Sequence, residues 1–220
     1  RRSANSVRYF SMSSGALSVW RFEYFFELAR LLKIEGDLLD VGCGEGRFLA
    51  YALREGWNGT LTGLDFSPRM TRRSEDGLRI ETGHLDQFAQ NSGAAKTRFD
   101  VVVLFDVLEH LAEPAKAVAQ IVSLLKEKAY LCVTVPNAER IRFFGWEAFD
   151  YPPHHFARWN AGALRRVVEQ AGFEVLAMKT PWCGSMDFSD QLFYPLLAWA
   201  MPWIKRLLFG SAAGSGKTLT

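Results

Sequence analysis

"LLDVGCGEGRFLA", residues 38–50, joins an apolar run to a helical pattern through three glycines. A strand that ends in a glycine-rich turn and runs straight into a helix is how parallel α/β sheets offer backbone N–H and C=O groups to a nucleotide-like ligand. The spacing is Gly42-x-Gly44-x-Gly46, and position 47 is arginine. A dinucleotide fingerprint needs its third glycine at that place, where a helix N-terminus meets a pyrophosphate, so an NAD-dependent oxidoreductase is disfavoured. The loop can still approach a ligand closely, because glycine has no Cβ in the way. Asp40, inside the strand end, suits an ammonium group rather than a phosphate.

Working outward, strand and helix patterns alternate. "RFEYFFELARLL" (21–32) sets Phe22, Phe25, Phe26, Ala29 and Leu32 at helical spacing. After the glycine loop, "GRFLAYALREG" reads as a helix stopped by Gly56. "TLTGLD" (60–65), "LRIETG" (78–83), "RFDVVVLFD" (98–106), "AYLCVTVPN" (129–137) and "FEVLAMKT" (173–180) read as further strands. The unbroken apolar run in the fourth strand predicts a strand covered on both faces. Pro114 opens a helix with Ala117, Val118, Ile121, Val122 and Leu125 on one stripe. Asn160 caps another, which carries Leu164, Val167, Val168 and Ala171 and ends at Gly172. The order predicts an α/β, doubly wound, mostly parallel sheet with helices on both faces. In such sheets ligands sit beyond the carboxyl ends of the strands. Asp65, ending the second strand 19 residues after Gly46, is placed to accept ribose hydroxyls. A turn or helix-capping role for Asp65 in "DFSP" stays open.

The whole chain narrows the class. It has 220 residues, 49% of them apolar, enough for one α/β domain with extensions. With 26 basic and 24 acidic side chains the formal charge is +2, which gives no field for coating a nucleic acid. Cys43, Cys132 and Cys183 are too widely spaced for a disulfide framework or a four-cysteine zinc site, and a reducing, cytoplasmic setting is the expectation. The basic N-terminus "RRSANSVRYF" lacks the apolar stretch of a signal peptide.

"LLDVGCGEGRFL", "GLDFS" and "FDVVVLFDVLEHLAEP" resemble three motifs of class I S-adenosylmethionine-dependent methyltransferases, with the nearer similarity to the ubiquinone-biosynthesis O-methyltransferase branch. The resemblance covers roughly residues 20–180. It implies a Rossmann-like sheet, normally of seven strands with one antiparallel. The residues show six strands, and no seventh is evident after Thr180. It also implies S-adenosylmethionine as cofactor. Gly42, Cys43 and Gly44 would line its methionine part, and Asp40 would hold its amino group. Asp65 would take the ribose hydroxyls, and Phe66 would lie against the adenine. His84 or the Leu85 backbone would read the adenine edge, with Asp86 as a substitute. Phe105 and Val107 would flank the methionine chain. His110 is a cofactor-side candidate, whereas Glu109 is read as capping its own turn.

Methyl transfer to a phenol or alcohol needs positioning and removal of a proton, for which histidine, with an unperturbed pKa of about 6.5, is suited. "FDYPPHHFARWN" (149–160) supplies His154 and His155 after the fifth strand. Phe144, Trp146, Phe149, Tyr151, Phe156 and Trp159 around them suit an aromatic or lipid-like small-molecule acceptor. A loop-holding role for either histidine and a satellite core for the aromatics stay open. No cysteine or third histidine adjoins the pair in sequence, so no metal is expected.

The expected organisation is a helical N-terminal extension (1–36), the methyltransferase domain (37–182), an apolar helical segment (183–210) and a disordered tail (211–220). Residues 191–204 carry no charge, but this stretch is short of the ~20 residues needed to span a bilayer and is broken by prolines. Packing is the first reading for 191–210; a lid, a peripheral membrane contact or dimerisation are the others. "GSAAGSGKTLT" lacks the first glycine of a phosphate loop, since position 211 is serine. The expected function is methyl transfer to oxygen of a small molecule. A cofactor-binding pseudoenzyme or scaffold, or an N- or C-methyltransferase of the same fold, are alternatives.

Overall fold

Every strand of the central sheet has to satisfy two faces at once, and the sequence does so by alternation. A computed structural model describes residues 5–11, 20–67, 78–95, 97–140 and 151–179. The elements run β1 (Asn5–Ser11), α1 (Trp20–Leu32), β2 (Leu38–Val41), α2 (Arg47–Arg54), β3 (Leu61–Asp65), β4 (Leu78–Thr82) and α3 (Leu85–Ala95). They continue with β5 (Phe99–Phe105), a 3-10 turn (Leu108–His110), α4 (Pro114–Leu124), β6 (Leu125–Val135), a second 3-10 turn (Ala138–Arg140), α5 (Ala161–Gln170) and β7 (Phe173–Lys179).

Leu38, Val101, Val103 and Cys132 pack on one face with Phe25, Phe26, Phe48 and Leu49 from α1 and α2. Leu39, Val102, Leu104, Leu131 and Val133 pack on the other with Val118 and Ile121 of α4 and Leu164 and Val168 of α5. Neighbours in sequence thus serve opposite cores, which is why β5 reads as a continuous apolar run. The predicted caps hold as well. Pro114 stands at the start of α4, Asn160 Oδ1 accepts the Ala163 amide at 2.8 Å, and Gly172 takes a left-handed φ of 90°. The α4 stripe ends one residue early, because Leu125 already belongs to β6.

The sheet order is β4-β3-β2-β5-β6-β1-β7, with every neighbouring pair parallel. This is the doubly wound sheet the sequence predicts, with seven strands among the described residues. The seventh comes from the start of the chain. Asn5–Ser11 lies between β6 and β7, within residues read from sequence as a helical extension. Its "NSVRYFS" has strand-forming Val7, Tyr9 and Phe10, but a seven-residue segment beside two arginines gives too short a pattern to read. The antiparallel strand implied by the resemblance is not found among the described residues. Residues 183–220, with the proposed apolar segment and tail, lie outside them. No helix of the described residues is long and apolar enough to cross a membrane.

The chain leaves β2 toward β3 and β4, then returns to the other side of β2 as β5. The carboxyl ends of β2 and β5 therefore flank a topological switch point, the crevice where open α/β sheets bind ligands.

Candidate active site

The turn after β2 is built around left-handed backbone. Gly42, Gly44 and Gly46 have φ of 74°, 53° and 73°. At Gly42 a Cβ would lie 2.5 Å from Val107 Cγ2, so the two loops of the switch point touch there. At Gly44 it would meet nothing within 4 Å, leaving the backbone open to a ligand. The Gly42 and Cys43 amides bond the Leu64 carbonyl at 2.7 and 3.2 Å, and the Gly44 amide bonds Asp65 Oδ2 at 2.9 Å. Asp65 Oδ1 accepts the Ser67 amide at 2.8 Å. Asp65 therefore does hold its own turn, and it also ties β3 to the glycine loop.

A cavity of about 280 Å³ opens over this loop, walled by Asp40, Gly42, Cys43 and Gly44 and, from other elements, by Arg21, Phe22 and Phe105. Asp40 is 2% exposed. Burial pushes its carboxyl well above the usual carboxylate range; the Arg21 charge opposes this and Asp65 adds to it. Burial likewise raises the Cys43 thiol, and its side chain is a packing group beside Gly63. Phe105 forms one wall and packs on Phe48 with ring centroids 4.7 Å apart. Phe66 is 72% exposed and its ring lies nearly parallel to that of His84, 6.4 Å away with 23° between planes. His84 also starts α3, its carbonyl accepting the Phe88 amide, and Leu85 is the first helical residue.

Arg21 and Asp106 escaped the sequence reading. Arg21 reads there only as the first residue of an amphipathic helix. Its Nη1 donates to Asp106 Oδ2. Its Nε is buried with no partner among the described residues. Asp106 follows β5 in left-handed conformation, φ 56°, and its Oδ1 accepts the Thr134 hydroxyl at 2.9 Å. A non-glycine residue held at positive φ at the end of a central strand was the signal, and it is visible only in three dimensions.

The other side of the crevice joins the turn after β5 to the segment after β6. The Glu109 carbonyl accepts the amides of Phe156 and Ala157 at 2.8 and 3.2 Å. His110 Nδ1 bonds the His154 carbonyl at 2.6 Å. A carbonyl only accepts, so Nδ1 carries the proton and Nε2 keeps its lone pair in the neutral ring. The His110 and His155 rings meet edge to face with centroids 4.9 Å apart. Thus His110, expected beside the cofactor, does not line the glycine-loop cavity but faces His155. His154 contributes a backbone carbonyl to this junction.

Glu109 departs further from its expected capping role. Its side chain is 1% exposed and neither carboxylate oxygen has a hydrogen-bond partner among the described residues. Burial, reinforced by the charge of Asp106, pushes its pKa up to about 8. The paired histidines have no co-ligands near them in sequence; the fold brings two to His155, since ligand atoms of Glu109, His110 and His155 lie within 4.8 Å of one another. Such a group can relay a proton or hold a divalent cation. Of the aromatic wall, Tyr151 and Phe156 are exposed and Trp159 is buried in the core; Phe144, Trp146 and Phe149 lie outside the described residues.

Residues 21–178 match a family model described as a methyltransferase domain. The chain is 31% identical over 145 residues to a protein of Mycolicibacterium smegmatis described as a probable S-adenosylmethionine-dependent methyltransferase, covering 63% of this chain and 52% of that one. It is 32% identical over 108 residues to the ubiquinone biosynthesis O-methyltransferase of Actinobacillus pleuropneumoniae, covering 46% of this chain and 45% of the relative. The crystal structure of an S-adenosylmethionine-dependent methyltransferase from Archaeoglobus fulgidus has the same fold, with a TM-score of 0.51 at 18% identity over 84% of this chain and 88% of that one. The chain spans about half the length of the curated relatives it matches.

Proposed function

We propose, from the premise that this chain belongs to the methyltransferase-domain family, that it transfers a methyl group from S-adenosylmethionine to an oxygen of a small aromatic or lipid-like molecule, with histidine assistance. The residues present suit that cofactor. The buried Asp40 carboxylate answers an ammonium group, the orphaned Arg21 Nε answers a carboxylate, and the open Gly44 backbone admits the chain between them. Asp65 would take the ribose hydroxyls with lone pairs left over from Gly44 and Ser67. Phe66 and His84 would present flat faces to the adenine. Phe105 and Val107 would wall the sulfur end. When bound, the cofactor supplies a methyl group already activated on a sulfonium.

The residues then have two tasks: to hold the acceptor oxygen in line, and to take its proton. The single observation that carries the reading is the junction of His110 with the 154–156 segment at the same crevice as the glycine loop. Its fixed tautomer leaves Nε2 of His110 available to accept a proton, with the His155 ring against it and Glu109 Oε1 4.0 Å away. Tyr151 and Phe156 would contact an apolar acceptor.

The test is single-turnover transfer of a labelled methyl group to phenols, alcohols, amines and carbon acids of similar size. Label on oxygen supports the reading. Label on nitrogen or carbon alone overturns the acceptor atom, and cofactor binding with no turnover on any acceptor favours a binding protein. A second reading rests on the unpartnered oxygens of Glu109, which also suit a divalent cation. Transfer abolished by a chelator and restored by magnesium would favour it over proton removal by a free histidine.

A further inference from the structure

Arg21 sits in the first turn of α1 and is one of the residues lining the glycine-loop cavity. One nitrogen, Nη1, is bound to Asp106; Nε is buried with no partner among the described residues. A buried donor left without an acceptor costs on the order of 1–3 kcal/mol. A guanidinium with one edge engaged and the other orphaned has the shape of half a bidentate carboxylate site. The rings of Phe22 and Phe105 flank it, with Cζ 5.4 and 5.9 Å from their centroids, so it is confined by stacking as well as charge.

Asp106 is held more firmly than an ordinary surface ion-pair partner. Its amide donates to the Thr134 carbonyl at 3.1 Å and to the Thr134 hydroxyl at 3.0 Å, and that hydroxyl returns a bond to Asp106 Oδ1 at 2.9 Å. Thr134 is fully buried in β6. These bonds sustain a left-handed φ of 56°, which costs a residue other than glycine about 1–3 kcal/mol. Strain of this kind persists where the surroundings over-determine it, here to keep one carboxylate oxygen on Arg21 and the other on β6.

We propose that Asp106 is a positioning residue: anchored by Thr134, it fixes the Arg21 guanidinium so that its free edge receives the carboxylate at the amino-acid end of the cofactor. The proposal rests on the reading above that this end lies beside Asp40 and Arg21. Asp106 acts through Arg21 and does not itself touch the cofactor.

Calorimetry with two probes tests it. S-adenosylhomocysteine carries the amino-acid end; 5′-methylthioadenosine has the same adenosine and thioether without it. Asp106→Ala should weaken S-adenosylhomocysteine binding about tenfold and leave 5′-methylthioadenosine within about twofold. Thr134→Val, which keeps the volume of the side chain, should show the same pattern at about threefold, and carries the test if Asp106→Ala fails to fold. In an Arg21→Ala background, Asp106→Ala should cost nothing further, because the two act as a unit. Equal losses for both probes, additive losses in the double variant, or unchanged S-adenosylhomocysteine affinity would each overturn the proposal. Wild-type protein that binds neither probe would instead overturn the cofactor reading on which it rests.

Discussion

Carboxylates gather at both edges of the sheet, and the two edges treat them in opposite ways. At the amino ends of the strands, Lys126 Nζ lies 2.8 Å from Asp37 Oδ2 and 2.7 Å from Asp100 Oδ2. Thr60 donates to Asp37 Oδ1 at 2.6 Å, and the Asp37 amide donates to Asp100 Oδ2 at 2.7 Å. The bonds from Lys126 and Thr60 pull the Asp37 carboxyl below its usual range, and Asp100 and Asp37 raise the Lys126 ammonium. At the carboxyl ends, Asp40 and Glu109 are buried deeper and hold fewer partners, and burial pushes both upward. The first edge uses charge to close the fold. The second leaves polar groups without partners among the described residues. A polar group's unsatisfied capacity, rather than its identity, marks the working edge.

The largest effects should come from breaking the working edge where chemistry is proposed. Replacing His110 or His155 by alanine should lower single-turnover methyl transfer roughly 10²- to 10⁴-fold with cofactor affinity little changed. His154→Ala, which keeps the main-chain carbonyl that holds His110 Nδ1, separates a side-chain role of His154 from that backbone contact. The loss at His110 should shrink as pH approaches the acceptor's own pKa, because an ionised phenol needs no base. Rates insensitive to both His110 and His155 would leave this edge a wall and not a catalyst.

Glu109 tests the comparison through stability. Its pKa is raised from 4.5 to about 8, so the folded protein keeps a proton that the unfolded chain loses across that interval. Stability should therefore fall as pH rises from about 4.5 to 8 and level off above. Glu109→Gln removes the cost of burying a charge, and should be more stable than wild type by up to roughly 5 kcal/mol at pH 9 and equal to it at pH 4. Urea unfolding at the two pH values measures this. A glutamine variant that is less stable at pH 9 would mean that the ionised carboxylate has a partner.

Asp65→Ala should weaken cofactor binding by about 1–3 kcal/mol, because two ribose hydroxyls lose a charged acceptor. The Gly44 amide is released at the same time, so the glycine loop should also gain hydrogen exchange at that position. Unchanged affinity in a folded variant would assign the ribose to another residue.

The comparison also explains what could be read in advance. The cofactor side of the crevice is local in sequence. Asp40 and the three glycines fall within seven residues, and Asp65 ends the adjacent strand. Strand alternation and helix caps are likewise short-range, so the doubly wound fold was legible. The acceptor side is assembled from residues far apart in the chain. His110 meets the 154–155 segment 44 residues on. The long-range part of the cofactor side, Arg21 reaching Asp106 across 85 residues, was hidden for the same reason. The pattern "HH" offers His154 and His155 as equals, and nothing in it says that the ring meeting His155 belongs to "LEH". Glu109 looked like a turn residue because nothing in "DVLEHLAEP" says that its carboxylate will be sealed from water. β1 was missed for the same reason: its strand character comes from the slot between β6 and β7, not from its own seven residues.

The smallest effect should come from the closed edge, and its smallness is the point. Lys126→Met keeps the aliphatic stem and removes the ammonium that Asp37 and Asp100 share. These side chains are a third or more exposed, so solvent screening limits the loss to about 1 kcal/mol or less at neutral pH. The sign with pH follows from Asp37. Its folded pKa lies below 3.8, so the stabilisation is present above that value and lost as pH falls through the lower, folded one. Wild type should therefore lose stability between neutrality and pH 3 more steeply than Lys126→Met, which has already lost the pair. Urea unfolding at pH 3 and 7 reads the difference. S-adenosylhomocysteine affinity and methyl transfer should match wild type in the same variant, because Asp37 and Asp100 lie at the opposite ends of β2 and β5 from the glycine loop and Asp106. A variant that folds normally but binds the cofactor tenfold more weakly would show that the two edges communicate along the strands, and the division between a closing edge and a working edge would no longer hold.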